Sequence, residues 1–333
     1  MNILIVKLSS LGDVVHAMPA VQDIRRALPQ AQIDWVVEQG FAPLVQRCAG
    51  VRRVIPVELR RWRKAPFAAR TRLAWKGFRA DLQAQAYDAV IDLQGLSKSA
   101  LVAWLARLAP GGRRYALANR TEGSGYEAPT RWVADVAIPI EPHVHAVARS
   151  RELCARALGY AVPAPEVFGL QPAGSGDAPE RTAVDVLGAR ACVALVHGSS
   201  RADKQWPAAH WIELAHHLDA QGLDVALLHG SDDEQRRSEA LAREMPNARV
   251  WPRLSLDVLT DALAGCAGVI GVDSGLSHIA VALDLPHVQL YNFDTAWRTG
   301  PVGRPRQRSV YARPAPSVAA VWQAWQTVMP QQG

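Results

Sequence analysis

Short apolar runs alternate with helically spaced segments along the first half of the 333-residue chain. Apolar stretches at 2–7, 32–37, 52–57 and 88–92 are strand-length and read as buried strands. Between them lie helical patterns. Over 20–28, Val21, Ile24 and Leu28 recur at three- and four-residue spacing and share one helix face. Pro19 suits the first turn of that helix, where a missing N–H costs nothing, better than its middle. Residues 97–108 and 146–158 carry the same period. Pro163, Pro165, Pro172, Gly174, Gly176 and Pro179 then interrupt the pattern, so 163–180 reads as an interdomain connection.

The theme then repeats. Strands are predicted at 192–196, 224–228, 268–272 and 288–291, and helices at about 207–220, 234–244 and 276–283. A closing helix at 317–329 carries Val318, Val321, Trp322, Trp325 and Val328 at helical spacing. Strand–helix alternation implies parallel sheets with helices on both faces. The expected fold is therefore α/β: two doubly wound, Rossmann-like domains at 1–162 and 181–315, followed by 316–333. A ligand cleft is expected between their facing carboxyl edges, because open α/β sheets bind ligands there.

Composition leaves this picture unchanged: 49% hydrophobic and 20% charged residues are ordinary for a globular protein. No stretch approaches the ~20 apolar residues of a membrane span. The N-terminal run leads into Lys7 and a Gly-Asp loop rather than a cleavage site, and does not read as a signal peptide. Cys48, Cys154, Cys192 and Cys266 are far apart, which argues against a disulfide framework or zinc site and suits a reducing cytoplasm. Charge does change the picture. The net charge is +6, yet 60–79 alone holds Arg60, Arg61, Arg63, Lys64, Arg70, Arg72, Lys76 and Arg79 with no acid, leaving the remainder at −2. Such local basicity implies an anionic partner: a membrane surface, a phosphorylated ligand or nucleic acid. No helix-turn-helix or RNP-type signature accompanies it, which disfavours nucleic acid.

Candidate chemistry clusters where strands end. Ser9-Ser10-Leu11-Gly12-Asp13 follows the Ile3–Val6 run and delivers one carboxylate to a sheet edge. Ser199-Ser200-Arg201-Ala202-Asp203-Lys204 echoes it in the second half, where Lys204 could neutralise a diphosphate. Asp273-Ser274-Gly275 precedes a helix whose first N–H groups form a ready phosphate site, with His278 one turn on. The same triplet also reads as an ordinary helix cap. Glu234 follows a strand at a position suited to ribose hydroxyls, or belongs to an acidic helix start. There is no Gly-x-Gly-x-x-Gly, Walker loop or Gly-x-Ser-x-Gly elbow. His143, His145, His210, His216 and His217 lack metal-ligand spacing, so no metal is expected.

Taken in order, Met1–Ala20 with Lys7, Ser9–Asp13 and His16, then Asp34–Phe41, Arg60-Arg61-Trp62-Arg63-Lys64, Asp203–Pro207 and Val272–His278 resemble the lipopolysaccharide heptosyltransferases of glycosyltransferase family 9, nearly end to end. Within that family, the basic segment and Ser-Ser-Leu-Gly-Asp favour the first heptosyltransferase type over the second or third.

The resemblance implies the glycosyltransferase B fold, with the acceptor on the N-terminal domain, the nucleotide sugar on the C-terminal one, and the closing helix returning to the first domain. It implies inverting, metal-independent transfer of L-glycero-D-manno-heptose from ADP-heptose to the first Kdo of Kdo-lipid A, with no cofactor. Asp13 would be the general base. Lys204, Ser199, Ser200 and the N–H groups of Ser274 and Gly275 would stabilise the leaving diphosphate. Glu234 would bind ribose, Leu254 would line the adenine pocket, Asp273 would hold heptose hydroxyls and His278 would approach the donor. Ser10, Gly12, Arg60, Arg61, Arg63 and Lys64 would bind the acceptor, with Trp62, Phe67, Trp75 and Phe78 near a lipid interface.

A monomer on the cytoplasmic face of the inner membrane, binding no nucleic acid, is expected. Another heptosyltransferase, or a nucleotide-sugar enzyme of the same fold such as a UDP-GlcNAc-type epimerase, is the alternative. The chain departs from the family's pattern in having Ser199, Ser200 and Ser274 where threonines are common, and Tyr291-Asn292-Phe293-Asp294 in place of a Tyr-Gly-Pro-Thr type loop.

Overall fold

A computed structural model of the chain describes residues 1–173, 188, 190–199 and 201–329. They form two compact units, Met1–Leu170 and Gln171–Gly333, divided inside the expected connection. Residues 163–170 belong to the first unit, where Leu170 bridges Cys48 and the Gly169 carbonyl accepts from Ala49 N–H at 2.8 Å.

The first unit is built on a six-stranded parallel sheet. Its strands are β1 (Asn2–Val6), β2 (Gln32–Glu38), β3 (Val51–Val57), β4 (Tyr87–Asp92), β5 (Leu108–Leu117) and β6 (Val136–Ile138), in the order β3-β2-β1-β4-β5-β6. The second unit repeats that topology with β7 (Cys192–Val196), β8 (Asp224–Leu227), β9 (Ala248–Val250), β10 (Gly268–Val272), β11 (His287–Tyr291) and β12 (Gln307–Tyr311), in the order β12-β11-β10-β7-β8-β9. β1 and β7 are central, and Ile3–Val6 and Val193–Leu195 are completely buried. Such strands read as continuous apolar runs because both faces are covered. In each sheet the direction of strand addition reverses beside the central strand, between β1 and β4 and between β7 and β10. That reversal opens a crevice at the carboxyl edge.

The first helix runs Leu11–Ala27 and takes Pro19 into its interior, contrary to the expected start near residue 20. Ser10 caps it, and Asp13, third in the helix, accepts from the Ser10 backbone N–H at 3.1 Å. An interior proline costs about 3 kcal/mol. Burying Val14, Val15, Met18, Val21 and Ile24 outweighs that, since each such side chain contributes roughly 1.5–3 kcal/mol.

Sequence periodicity misses β5, β6, β9 and β12. β5 is masked by Pro110-Gly111-Gly112, yet Gly112 is required there: a Cβ would lie 2.5 Å from the Tyr87 carbonyl. β12 carries too few apolar residues to register. The basic segment folds as two helices, Leu59–Trp62 and Ala69–Gln83. Trp62 and Phe78 turn inward to the core beneath β3 and β4, rather than toward an interface as expected. Phe67 is the aromatic of this group that stands out, 89% exposed.

The closing helix packs within the second unit. Val318–Val328 buries Val318, Val321, Trp325 and Val328 with Ile270, Val288 and Leu290 in the core of the second unit, packing on β11, β12 and helix Ala208–Ala220. Its four-residue apolar stripe is covered by the sheet of its own unit. All four cysteines are free and buried. Among the described residues, no helix is long and apolar enough to cross a membrane.

Candidate functional site

In the first unit, the crevice beyond β1 and β4 is lined by the loop after each strand. Lys7, the residue after β1, is buried. Its Nζ donates to the Leu93 carbonyl beyond β4 at 3.0 Å and lies 3.6 Å from Asp13 Oδ1. Arg149, from helix Ala146–Leu158, brings Nη2 to 3.6 Å from the same oxygen, while its Nη1 donates to Thr121 Oγ1 at 3.0 Å. Asp13 Oδ2 accepts from the Ser10 backbone N–H at 3.1 Å and the Ser10 hydroxyl at 2.9 Å. The two carboxylate oxygens are thus held differently: Oδ1 faces two cations, and Oδ2 takes two hydrogen bonds. The Asp13 side chain keeps 35% of its surface open, so a substrate hydroxyl can reach it.

Electrostatics follow from this geometry. Burial raises the Asp13 carboxyl, but Lys7, Arg149 and the Ser10 donors outweigh it and hold it below the ordinary carboxylate value. Burial also brings the Lys7 ammonium down to about 8, despite Asp13. Asp92, at the end of β4, is pushed by burial up to about 6, although it accepts from Gln94 N–H, Gly95 N–H and the Ser99 hydroxyl.

The basic segment meets this crevice through Lys98, whose Nζ donates to Ser9 Oγ at 3.0 Å. Burial lowers the Lys98 ammonium, and the charges of Arg60 and Arg63 lower it further. Burial raises Glu38, at the end of β2, against the pull of Arg60. Arg60 and Arg63 thus gather around Lys98, whereas Arg61 pairs with Glu58 at 2.9 Å. Lys64 is exposed and Gly12 half-buried. His16 is buried, edge-on to His145 at 6.0 Å.

In the second unit the loops after β7 and β10 converge likewise. Lys204, on the one-turn helix Ala202–Lys204, donates to Asp273 Oδ2 at 2.6 Å. Asp273 Oδ1 lies 3.4 Å from His278 Nε2 and accepts from the Thr299 hydroxyl at 3.3 Å. Thr299 in turn lies 3.3 Å from the Tyr291 hydroxyl. Burial raises the Asp273 carboxyl, but His278 and Lys204 outweigh it and hold it far below the carboxylate range. Ser274 caps helix Gly275–Ala282, and its buried hydroxyl oxygen has no partner among the described residues. An unpartnered hydroxyl at a helix N-terminus suits a phosphate oxygen.

Glu234 reaches the same edge. Its Oε2 accepts from Gly230 N–H at 2.7 Å, and a Cβ on Gly198 would meet its Oε1 at 2.5 Å. A side chain at Gly198 would displace that carboxylate from its present position. Leu254 sits half-buried in the loop after β9. Ser199 is half-buried in the loop after β7, and Ser200 lies outside the described residues.

Three residues escaped sequence reasoning. Arg149 is one arginine in an arginine-rich helix, with no local signal. Thr299 lies in a short helix, Ala296–Thr299, outside any motif. Asn292 belongs to the departing loop, yet its amide donates to the Asp203 and Gln205 carbonyls at 3.0 and 2.9 Å and so holds the backbone on both sides of Lys204.

Known proteins share this chain's sequence and fold. The profile of Glycosyltransferase family 9 (heptosyltransferase) matches residues 75–319. Lipopolysaccharide heptosyltransferase 1 of Escherichia coli K12 is 40% identical over 296 residues, 87% of this chain and 88% of that protein. The heptosyltransferase 1 of Pseudomonas aeruginosa is 38% identical over 91% of this chain and 82% of its own length. Heptosyltransferase 2 of E. coli K12 is only 26% identical over 87% of this chain and 82% of its own length. Among solved structures, E. coli heptosyltransferase WaaC with ADP superposes with a TM-score of 0.83 at 36% identity, covering 97% of this chain and 98% of that one. WaaC with ADP-2-deoxy-2-fluoro heptose gives 0.78 at 35% identity with the same coverage. The paired Rossmann-like units, the Asp13 and Asp273–Lys204 clusters at their switch points, and this identity over most of the chain make it a member of glycosyltransferase family 9, the heptosyltransferases of lipopolysaccharide synthesis.

Proposed function

We propose that this chain transfers L-glycero-D-manno-heptose from ADP-heptose to the first Kdo of Kdo-lipid A, with inversion and without a metal ion. The observation that carries the proposal is Asp13: an ionised, partly open carboxylate at a sheet switch point, with one oxygen on Lys7 and Arg149 and the other on Ser10. A carboxylate held this acidic takes a proton late. It receives the acceptor hydroxyl's proton as that oxygen bonds to the anomeric carbon, when the hydroxyl has become a strong acid. The bond from the anomeric carbon to the phosphate oxygen breaks, the sugar passes through an oxocarbenium-like state, and ADP leaves.

The leaving diphosphate gathers charge that the second unit is equipped to take. Lys204 supplies an ammonium, and Ser274 and Gly275 supply a hydroxyl and helix N–H groups. Asp273 and His278 then face the heptose and phosphate, and Glu234 the ribose. Heptose donors are supported by the WaaC structure with a fluorinated ADP-heptose analogue. The acceptor carboxylates and phosphates would lie on Arg60, Arg61, Arg63 and Lys64, with the chain as a monomer against the cytoplasmic face of the inner membrane. Each basic residue near an anionic surface contributes about 1 kcal/mol.

The test is incubation with ADP-heptose and Kdo-lipid A, with and without chelator, followed by mass analysis. A single added heptose in both arms is expected. Addition only to an acceptor already carrying one heptose would instead favour a second-heptose enzyme. Asp13→Asn should abolish transfer while ADP-heptose binding persists; lost donor binding would overturn the role given to Asp13.

A further inference from the structure

The basic segment does more than display charge. Its two helices and the helix Ser97–Leu105 line an open-sided cavity of ≈ 440 Å³. That volume falls within the roughly 300–1,000 Å³ of small-molecule sites. The walls are apolar: Leu59, Pro66 and Leu101 line it together with Trp62 and Trp75, whose rings meet edge to face at 5.6 Å. The polar lining is the Thr71 hydroxyl and three cations, Arg63, Arg72 and Lys98. No acid lines it, and none occurs between 60 and 79. Beside it stand apolar side chains with no cover: Phe67 next to Pro66, and Leu101 and Trp104 one turn apart, 89%, 42% and 61% exposed.

This combination selects a ligand class. A nucleotide's ribose hydroxyls are commonly held by an acid, and the cavity has none. Inorganic phosphate would satisfy the cations but leave the tryptophan walls wet. A molecule with a hydrocarbon body and an anionic head meets both demands. Burying the hydrocarbon takes apolar area out of water, and phosphate takes charge-assisted bonds from the cations.

We infer that this cavity takes one acyl chain of an anionic membrane glycerophospholipid, with its phosphate on Arg72 and Lys98. The inference goes beyond heptose transfer and needs neither donor nor acceptor. It makes the cavity a lipid-anchoring site, and turns loose attraction to a charged surface into a seated contact, because one inserted chain plus a basic patch gives the two signals that stable anchoring requires.

The experiment is calorimetric titration of the full chain with lysophosphatidylglycerol below its micelle concentration. The comparison ligands are lysophosphatidylcholine of equal chain length and the head group glycerophosphoglycerol alone. The anionic lysolipid should bind at least about tenfold more tightly than either. Leu101→Asp, at the open edge of the cavity, and Arg72→Glu, on its rim, should each remove that preference with the thermal midpoint unchanged. Equal binding of head group alone, or of the choline lipid, would overturn the site, as would full lysolipid affinity in Leu101→Asp. Heptose transfer to a deacylated Kdo acceptor is measured alongside. Absent transfer with intact lysolipid binding would refute the proposed reaction and leave the cavity assignment standing.

Discussion

Arg149 offers the sharpest probe of how Asp13 works. Arg149→Met removes a cation 3.6 Å from Asp13 Oδ1 and leaves Lys7 and Ser10 in place. Thr121 Oγ1, which loses its donor, keeps the Ser124 hydroxyl at 2.8 Å. At that separation the Coulomb attraction is about 4–5 kcal/mol for an effective dielectric near 20, and about 1 kcal/mol in bulk water. Asp13 is 35% exposed, so solvent screening favours the low end, about 1–2 kcal/mol. That raises the Asp13 pKa by roughly 1.

The sign is fixed by the chemistry. A general base must be ionised, so activity falls where Asp13 becomes protonated. In the parent chain that limb lies below the ordinary carboxylate value, because Asp13 is depressed. Without Arg149 it moves upward by about one pH unit. The assay is kcat/KM for heptose transfer from pH 4 to pH 8, each variant normalised to its own value at pH 8. The Arg149→Met profile should fall at a higher pH than the parent's as the pH is lowered. Arg149→Lys, which keeps the charge, should restore the parent's profile. Coincident limbs for parent and Arg149→Met would refute the electrostatic coupling. An equal displacement in Arg149→Lys would show that shape rather than charge matters.

Further outcomes follow from the second unit. Asp273 holds Lys204 at 2.6 Å and so competes with a bound diphosphate for it. Asp273→Asn should therefore tighten ADP binding in calorimetry while heptose transfer falls, and weaker ADP binding would contradict the competition. Lys204→Met should lower kcat by about 10²–10³, the usual loss when a charge-stabilising donor is removed; an unchanged kcat would remove Lys204 from the leaving-group side. His197 and His287 are buried and held down to about 4 by that burial, so each stays neutral in the folded protein. Between about 4 and 6.5 the unfolded chain binds more protons, so stability is full above 6.5 and is lost as pH falls toward 4. Denaturant melts should show that slope, and His287→Gln should flatten it. Trp325→Ala empties the core under β11 and should cost about 3–5 kcal/mol, read as a lower denaturant midpoint.

The alternation of apolar runs with helical spacing was enough to place two parallel α/β sheets and to put Asp13, Lys204 and Asp273 just beyond strand ends. Those readings depend on short-range period, and period 2, period 3.6 and unbroken apolar runs are properties of neighbouring residues. The end of each central strand is equally local, so Ser9–Asp13 and Asp273–Gly275 were legible as the stretches that leave the sheet edge. The capping interaction that begins a helix at Leu11 is local too, but Pro19 concealed it, because a proline's local meaning yields to the burial of the side chains around it.

Tertiary structure decided the rest. No pattern in 146–158 says that Arg149 reaches Asp13; that follows from the packing of helix Ala146–Leu158 against helix Leu11–Ala27. Glu234 comes over Gly198 because β8 lies next to β7, and Thr299 meets Asp273 because β11 lies next to β10. Strand order is a choice among distant partners and leaves no trace in hydrophobic period. The same holds for the closing helix: its apolar stripe foretold burial, and only the sheet that covers it determined where. The basic segment shows both sides. Its charge was plain along the chain, but the inward turn of Trp62 and Trp75, which converts that charge into a lined cavity, depends on contacts that form only when the helices fold over β3 and β4.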